Sequence, residues 1–169
     1  MLIIREERQQ DIMAIHKVHK LAFGRPHEAD LVDALRADSK VLVGLVAVEE
    51  DHVVGHIVFS PVTIDCGDRT FSAVGLAPMA VLPERQRRGI GSQLVKVGLV
   101  ECRKSGYDCL VVLGHPAYYA RFGFVPASRY GLKSEYEVPD EAFMVFAWHE
   151  ARLKTCAGIA RYPTEFRGL

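Results

Sequence analysis

The sequence predicts a mixed α/β fold with a mostly antiparallel sheet that gains a parallel strand through a βαβ crossover. Between Val41 and Val81, three β-branched and apolar runs are broken by Glu50-Asp51 and by Cys66-Gly67-Asp68, pairs and triplets with hairpin-turn chemistry. After them a glycine-bearing loop enters an amphipathic helical pattern that stops at Gly106, and the apolar run Cys109 to Leu113 follows, which is the spacing of a strand, helix, strand unit. The 169 residues are 49% hydrophobic and 25% charged, enough to bury a core without structural disulfides or metals.

The elements can be justified in order. Leu2 to Arg5 reads as a short strand, and Ile12, Ile15, Val18, His19 and Ala22 then recur at helical spacing until Gly24 and Pro26 end the pattern. Leu31 and Leu35 mark a second short helix over Glu28 to Arg36. His16 and His19 lie three apart on the first helix, but no third donor stands at a recognisable spacing, so one surface and one half-buried histidine are expected. The apolar run Val41 to Val48, with eight residues, opens the meander as a strand. In its third strand, Thr70 to Val81, Pro78 cannot donate a ladder hydrogen bond, which implies a bulge or a free edge and therefore an opening in the sheet. Leu94, Val95, Leu99 and Cys102 form the apolar stripe of the crossover helix. Beyond Leu113 come an aromatic-rich stretch from Gly114 to Pro126, a polar loop and a strand at Ala142 to Trp148, while residues 149 to 169 show no assignable pattern. No linker divides the chain, so a single domain over 1 to 169 is expected, with a core of about 1 to 148 and a C-terminal extension from 149.

Composition narrows the function. Lys plus Arg equals Asp plus Glu at 21 each, so no global field attracts nucleic acid or an anionic membrane. The four cysteines, Cys66, Cys102, Cys109 and Cys156, contain no C-x-x-C pair and read as reduced thiols. With no long apolar segment and an N-terminus too short before its first charges for a signal peptide, a cytoplasmic protein is expected.

The chemistry lies in Gln86-Arg87-Arg88-Gly89-Ile90-Gly91-Ser92, where two arginines and two glycines stand at a strand-to-helix handover. The first N–H groups of a helix lack intrahelical partners and carry the positive end of its dipole, and glycine removes the Cβ that would hold an anion away. A phosphate group fits such a place. A nucleoside triphosphate loop would need a Lys after the last glycine, and the dinucleotide fingerprint fails because its third glycine position is Leu94.

At these residues the chain resembles the GNAT superfamily of acyl-CoA-dependent N-acyltransferases, whose (Q/R)-x-x-G-x-(G/A) signature Q-R-R-G-I-G matches. Met79-Ala80-Val81-Leu82-Pro83 looks like the strand before that loop, and Tyr119-Ala120-Arg121-Phe122-Gly123-Phe124 looks like the later Y-x-x-φ-G-F segment. The resemblance spans roughly residues 1 to 148, and L-G-H-P-A-Y-Y-A-R-F-G-F with Y-E-V-P-D-E-A-F-M is similar to the bacterial YhbS-like branch. It implies a sheet splayed around acetyl-CoA as co-substrate, with no metal. It implies further that the backbone of Met79, Ala80 and Val81 pairs with the pantetheine arm, and that Arg87, Arg88, Gly89, Ile90, Gly91 and Ser92 hold the diphosphate. By the same resemblance the N–H near Val81 is the oxyanion donor and Tyr119 protonates the departing sulfur, with Tyr118 one residue too far from Gly123-Phe124.

His115-Pro116 departs from the family pattern, in which many members carry Asn and a longer helix; His115 is either a catalytic base or a turn residue. Glu135, Glu137, Asp140 and Glu141 are either a field for a cationic acceptor or solvated surface. The leading expectation is an enzyme that acetylates a primary amine, acting as a monomer or homodimer. The alternatives are a non-catalytic acyl-CoA sensor and a nucleic-acid binder using Arg85, Arg87, Arg88, Arg161 and Arg167, the latter disfavoured by the zero net charge.

Overall fold

The computed structural model describes residues 1–168. The chain forms two compact units, the first made of Met1–Ser60, Ala77–Glu101 and the C-terminal residues from Thr164, the second of Pro61–Leu76 and Cys102–Pro163.

In the first unit, β1 (Leu2–Glu6) pairs antiparallel with β2 (Val43–Glu49), which pairs antiparallel with the first half of β3 (His52–Asp65). The hairpin between β2 and β3 turns through Glu50 and Asp51, at φ 50° and 62°, the left-handed pair that matches the twist of the flanking strands. The two expected helices are α1 (Ile12–Phe23) and α2 (His27–Ala37). Gly24 ends α1 in the left-handed conformation, φ 68°, with its N–H on Lys20 O at 3.0 Å. Ile15 and Val18 of α1 and Ala29, Val32 and Leu35 of α2 are buried.

Three side chains under these helices form a chain of hydrogen bonds. His19 Nε2 lies 2.8 Å from His56 Nδ1, and His56 Nε2 lies 2.8 Å from Glu7 Oε2. Arg36 donates to the same Glu7 oxygen at 2.8 Å. A carboxylate only accepts, so His56 carries its hydrogen on Nε2, its Nδ1 accepts from His19, and His19 Nδ1 is left as a bare, buried nitrogen. His19 is completely buried, not half-buried as its place on the helix suggested, because β3 supplies a polar partner for it.

The second half of β4 (Thr70–Val81), from Ala77, also belongs to the first unit, as does most of α3 (Ile90–Lys104). Gly98 of α3 faces the Phe59 ring of β3 so closely that a Cβ would overlap it. The missing side chain sets how near the helix axis comes to the sheet.

In the second unit, β4 pairs parallel with β5 (Cys109–Leu113) at Val74↔Leu110 and Gly75↔Val111, and that ladder ends before Pro78. The strand, helix, strand reading of the sequence is met by this parallel pair. β5 also pairs antiparallel with β8 (Phe143–Ala147), which carries β6 (Val125–Pro126) on its other side. The sheet is open, mixed and mostly antiparallel, in the hydrogen-bonded order β1-β2-β3-β4-β5-β8-β6.

Three elements lie where the sequence showed only a polar loop and an unassigned tail. They are β7 (Leu132–Ser134), a one-turn helix at Glu150–Leu153 and β9 (Gly158–Arg161). β9 pairs antiparallel with the end of β3 and parallel with β7. Elements of three or four residues are too short to show a period, and only their partners define them.

The cysteine reading needs correction. Cys66, in the β3 to β4 turn, is disulfide-bonded to Cys156, just before β9, across 90 residues of sequence and 5.6 Å between Cα atoms. Pairing of β9 with β3 at Asp65↔Ile159 brings the two together, which no local spacing could announce. Arg69 in the same turn also donates to Thr155 O, beside Cys156. Cys102 and Cys109 are buried and outside any disulfide, and burial pushes the Cys109 thiol up to about 12, so it stays protonated and inert. Among the described residues no helix is long and apolar enough to cross a membrane.

Candidate functional site

In the first unit, β4 runs out at Val81 into a single turn of tight helix at Pro83–Arg85, and the loop that follows is braced back onto its own unit. Leu82 N–H donates to Val54 O at 2.9 Å, Gln86 Nε2 donates to Val81 O at 3.0 Å, and Arg85 Nε lies 2.9 Å from Glu49 Oε1. Arg85 is therefore engaged, whereas Arg87 and Arg88 are exposed and have no ion-pair partner among the described residues. Arg87 has φ 64° and Gly89 φ 81°, with a residue of negative φ between them, and they follow Gln86, whose backbone is extended at φ −69° and ψ 159°. Alternation of this kind is the backbone geometry of a nest, and it stands at the start of α3. Gly89 is required here by its backbone angle, since a Cβ at this position would meet nothing within 4 Å. Its carbonyl accepts the Gln93 N–H at 3.1 Å and so starts α3, placing Ile90, Gly91 and Ser92 in the first turn. Gly55 of β3 lets this corner close up, because its missing Cβ would sit 3.3 Å from both Ala80 O and the Ile90 side chain. Met79, Ala80 and Val81 are thus on the last strand residues before the nest, as the sequence placed them.

In the second unit, α4 (Pro116–Ala120) follows β5. His115 stands before it as an exposed residue with extended backbone, and its carbonyl accepts the N–H groups of Tyr118 and Tyr119, both at 3.2 Å. Pro116 occupies the first helical position, where its missing N–H costs nothing. The departure from a longer helix is thereby explained locally. Tyr119 is 8% exposed, its ring lying against Gly114, where a Cβ would overlap it, and edge-on to Phe124 at 5.5 Å. Gly123, at φ 100°, makes the turn that brings Phe124 back onto Tyr119, which gives the Y-x-x-φ-G-F spacing a structural reason. Burial, with Tyr118 beside it, holds the Tyr119 phenol well above its usual pKa, so it keeps its proton at neutral pH. Tyr118 is half-buried, edge-on to Tyr119 at 5.0 Å, with the Arg121 guanidinium 5.5 Å over its ring.

The acidic stretch divides. Glu135 accepts the Tyr162 N–H at 2.7 Å and faces Arg161 at 3.8 Å, so it fastens the loop to β9. Glu137 and Asp140 line a cavity of about 200 Å³ together with Tyr136 and Lys133. Glu141 is exposed and lies outside that lining. Sequence alone counted four equivalent carboxylates and could not see that one was committed.

The sequence pattern of the acetyltransferase (GNAT) domain matches residues 3–127, a span that contains the nest, Tyr119 and the Gly-Phe turn. The chain belongs to the GNAT family. Across 98% of both chains it is 34% identical to the N-acetyltransferase YhbS of Escherichia coli strain K12, and 38% identical over 79% of its length to YjhQ of the same strain, 75% of which is covered. The crystal structure of Escherichia coli YhbS in complex with CoA superposes with a TM-score of 0.91, at 34% identity over 98% of this chain and 91% of that one. A GNAT acetyltransferase from Brucella melitensis, solved in complex with acetyl-CoA, matches at a TM-score of 0.81 and 36% identity over 98% of each chain. The mixed, open sheet described above is therefore the GNAT fold, as the signature residues implied.

Proposed function

We propose that the protein transfers the acetyl group of acetyl-CoA to a primary amine by direct attack, the full chain acting as one catalytic domain. The observation that carries this reading is the nest at Arg87 to Ser92, with alternating φ, two unengaged arginines and a helix mouth in one short segment. It suits a diphosphate, which would take main-chain N–H groups with charge added by Arg87 and Arg88. The backbone of Met79, Ala80 and Val81 would pair with the pantetheine arm, and an N–H near Val81 would donate to the tetrahedral oxyanion.

In the reaction the amine nitrogen bonds to the thioester carbon, the carbon–sulfur bond breaks, the sulfur takes a proton and the amine gives one up. Tyr119 is our candidate acid, being protonated at neutral pH and held in a fixed place by its packing against Gly114 and Phe124. His115 is our candidate to accept the amine proton, being exposed, its carbonyl held at the start of α4 and its side chain making no cap hydrogen bond there. For the acceptor, Glu137 and Asp140 favour an amine that arrives as an ammonium ion, and the 200 Å³ cavity that they line suits a small one. The resemblance of nearly the whole chain to relatives solved with CoA and acetyl-CoA supports the choice of co-substrate.

The test is calorimetric titration of acetyl-CoA into the parent protein and into Gly91→Glu. A carboxylate in the first turn of α3 is favourable to the helix dipole, so the variant should fold while repelling a diphosphate. Loss of binding in a variant of unchanged circular dichroism is expected. Parental affinity in Gly91→Glu would remove the diphosphate from this segment.

A further inference from the structure

The first helix pair carries a cluster that the transfer chemistry does not use. His16 of α1 and Asp30 and Asp33 of α2 present one donor atom each within 4.8 Å of one another. The His16 and Asp33 side chains already meet, Nδ1 to Oδ2 at 2.8 Å. Arg36, whose Nη2 is committed to Glu7, has Nη1 3.6 Å from the other Asp33 oxygen, Oδ1, at ion-pair distance. A separate observation concerns charge. Asp30 also lines a cavity of about 260 Å³ shared with Glu165. The Glu165 side chain is 8% exposed, Lys40 and Thr164 both serve its Oε1, and its Oε2 is buried with no hydrogen-bond partner. Asp30 thus shares a cavity, which His27 and Arg167 also line, with a second carboxylate that has one oxygen without a hydrogen-bond partner.

We propose that His16, Asp30 and Asp33 form a binding site for a divalent transition-metal ion, with Zn²⁺ as the representative, that bridges α1 to α2. One imidazole nitrogen and two carboxylate oxygens are a donor set of mixed hardness that suits Zn²⁺, Co²⁺ or Mn²⁺, and water completes the coordination. Binding needs no redox partner. The hydrogen between Nδ1 and Oδ2 gives way to the ion, and the imidazole takes the tautomer that carries hydrogen on Nε2. With metal bonds of about 2.1 Å, neighbouring donors stand about 3 Å apart, a closure that the torsions of the exposed Asp30 side chain can supply. The sequence hid the site because the two aspartates lie 14 and 17 residues beyond His16 and meet it only when the helices pack.

The experiment is calorimetric titration of ZnCl₂ into the purified, ligand-free protein at pH 7, with Co²⁺ absorption as a second readout. It compares the parent with His16→Gln, Asp30→Asn and the double variant, and uses His52→Gln, an exposed histidine on β3, as control. All three substitutions are at or near the surface, and circular dichroism checks the folding of the four variants. Expected are one equivalent in the parent and in His52→Gln, a loss of about tenfold or more in affinity in each single variant, and a thermal stabilisation by Zn²⁺ that the double variant lacks. Equal affinity in the parent and the folded double variant would overturn the proposal, as would loss of the stoichiometric site in His52→Gln. Should a variant misfold, paramagnetic broadening by Mn²⁺ in the parent decides: selective broadening of the His16 ring signals supports the site, and its absence refutes it.

Discussion

The acid sensitivity of the first unit can be worked out from His19. Its ring is completely buried, hydrogen-bonded on one nitrogen to neutral His56 and bare on the other, and burial, with smaller repulsions from His56, Arg36 and His16, holds its pKa at about 3 instead of 6.5. The folded protein therefore keeps His19 neutral in a range where the unfolded chain takes up a proton. Stability must fall as pH drops from 6.5 toward about 3 and must be flat above 6.5 as far as this group is concerned. One proton corresponds to about 1.4 kcal/mol per pH unit, so about 2 kcal/mol is lost between pH 6.5 and 5, a large part of an ordinary domain's stability. His56, whose pKa burial also lowers against the pull of Glu7, adds a loss of the same sign. Glu7 is held below its usual value by His56 and Arg36 against desolvation, and contributes only at lower pH, as it titrates through its folded value. The window from pH 7 to 5 thus isolates the histidines. His19→Gln keeps an N–H donor for His56 but cannot titrate. Urea unfolding at half-unit steps through this window should show the parent curve steeper than that of His19→Gln by about 1.4 kcal/mol per pH unit below 6.5. Parallel curves for the two proteins would show that His19 does not carry the acid response.

Gly98→Ala, which puts a methyl group into the Phe59 ring, should destabilise the protein by about 1–3 kcal/mol, with partial recovery in Gly98→Ala/Phe59→Leu; a parental urea midpoint in the single variant would contradict the close approach of α3 to β3. Glu135→Ala, which orphans the buried Tyr162 N–H, should cost about 1–3 kcal/mol with no change in the KM for an amine, whereas Glu137→Gln/Asp140→Asn should raise that KM at low salt and leave stability alone. The opposite pattern would exchange their roles.

How much could be read in advance depended on length and on locality. The meander from β2 to β4 and the helix α3 were legible because each carries its own period over many residues, and their ends are marked by residues with backbone demands, such as Glu50-Asp51 and Gly89. The nest was legible for the same reason, since every residue it needs is within seven positions. What stayed hidden was whatever a distant partner defines: β7 and β9 by each other, the Cys66–Cys156 bond by the β3 to β9 register, the fate of Glu135 by Tyr162, and the burial of His19 by His56. Charge clusters in loops are the weakest sequence signal because a free carboxylate and a committed one look alike.

Acetyl transfer with Tyr119 as acid is tested by the rate of thiol release from acetyl-CoA in the presence of a panel of primary amines, for the parent and for Tyr119→Phe. The parent should release CoA in proportion to amine acetylated, and Tyr119→Phe should bind acetyl-CoA with parental affinity but turn over about 10² to 10⁴ times more slowly. A parent that binds acetyl-CoA and acetylates no amine would instead be an acyl-CoA sensor, and undiminished turnover in Tyr119→Phe, or a larger loss in Tyr118→Phe, would contradict the mechanism.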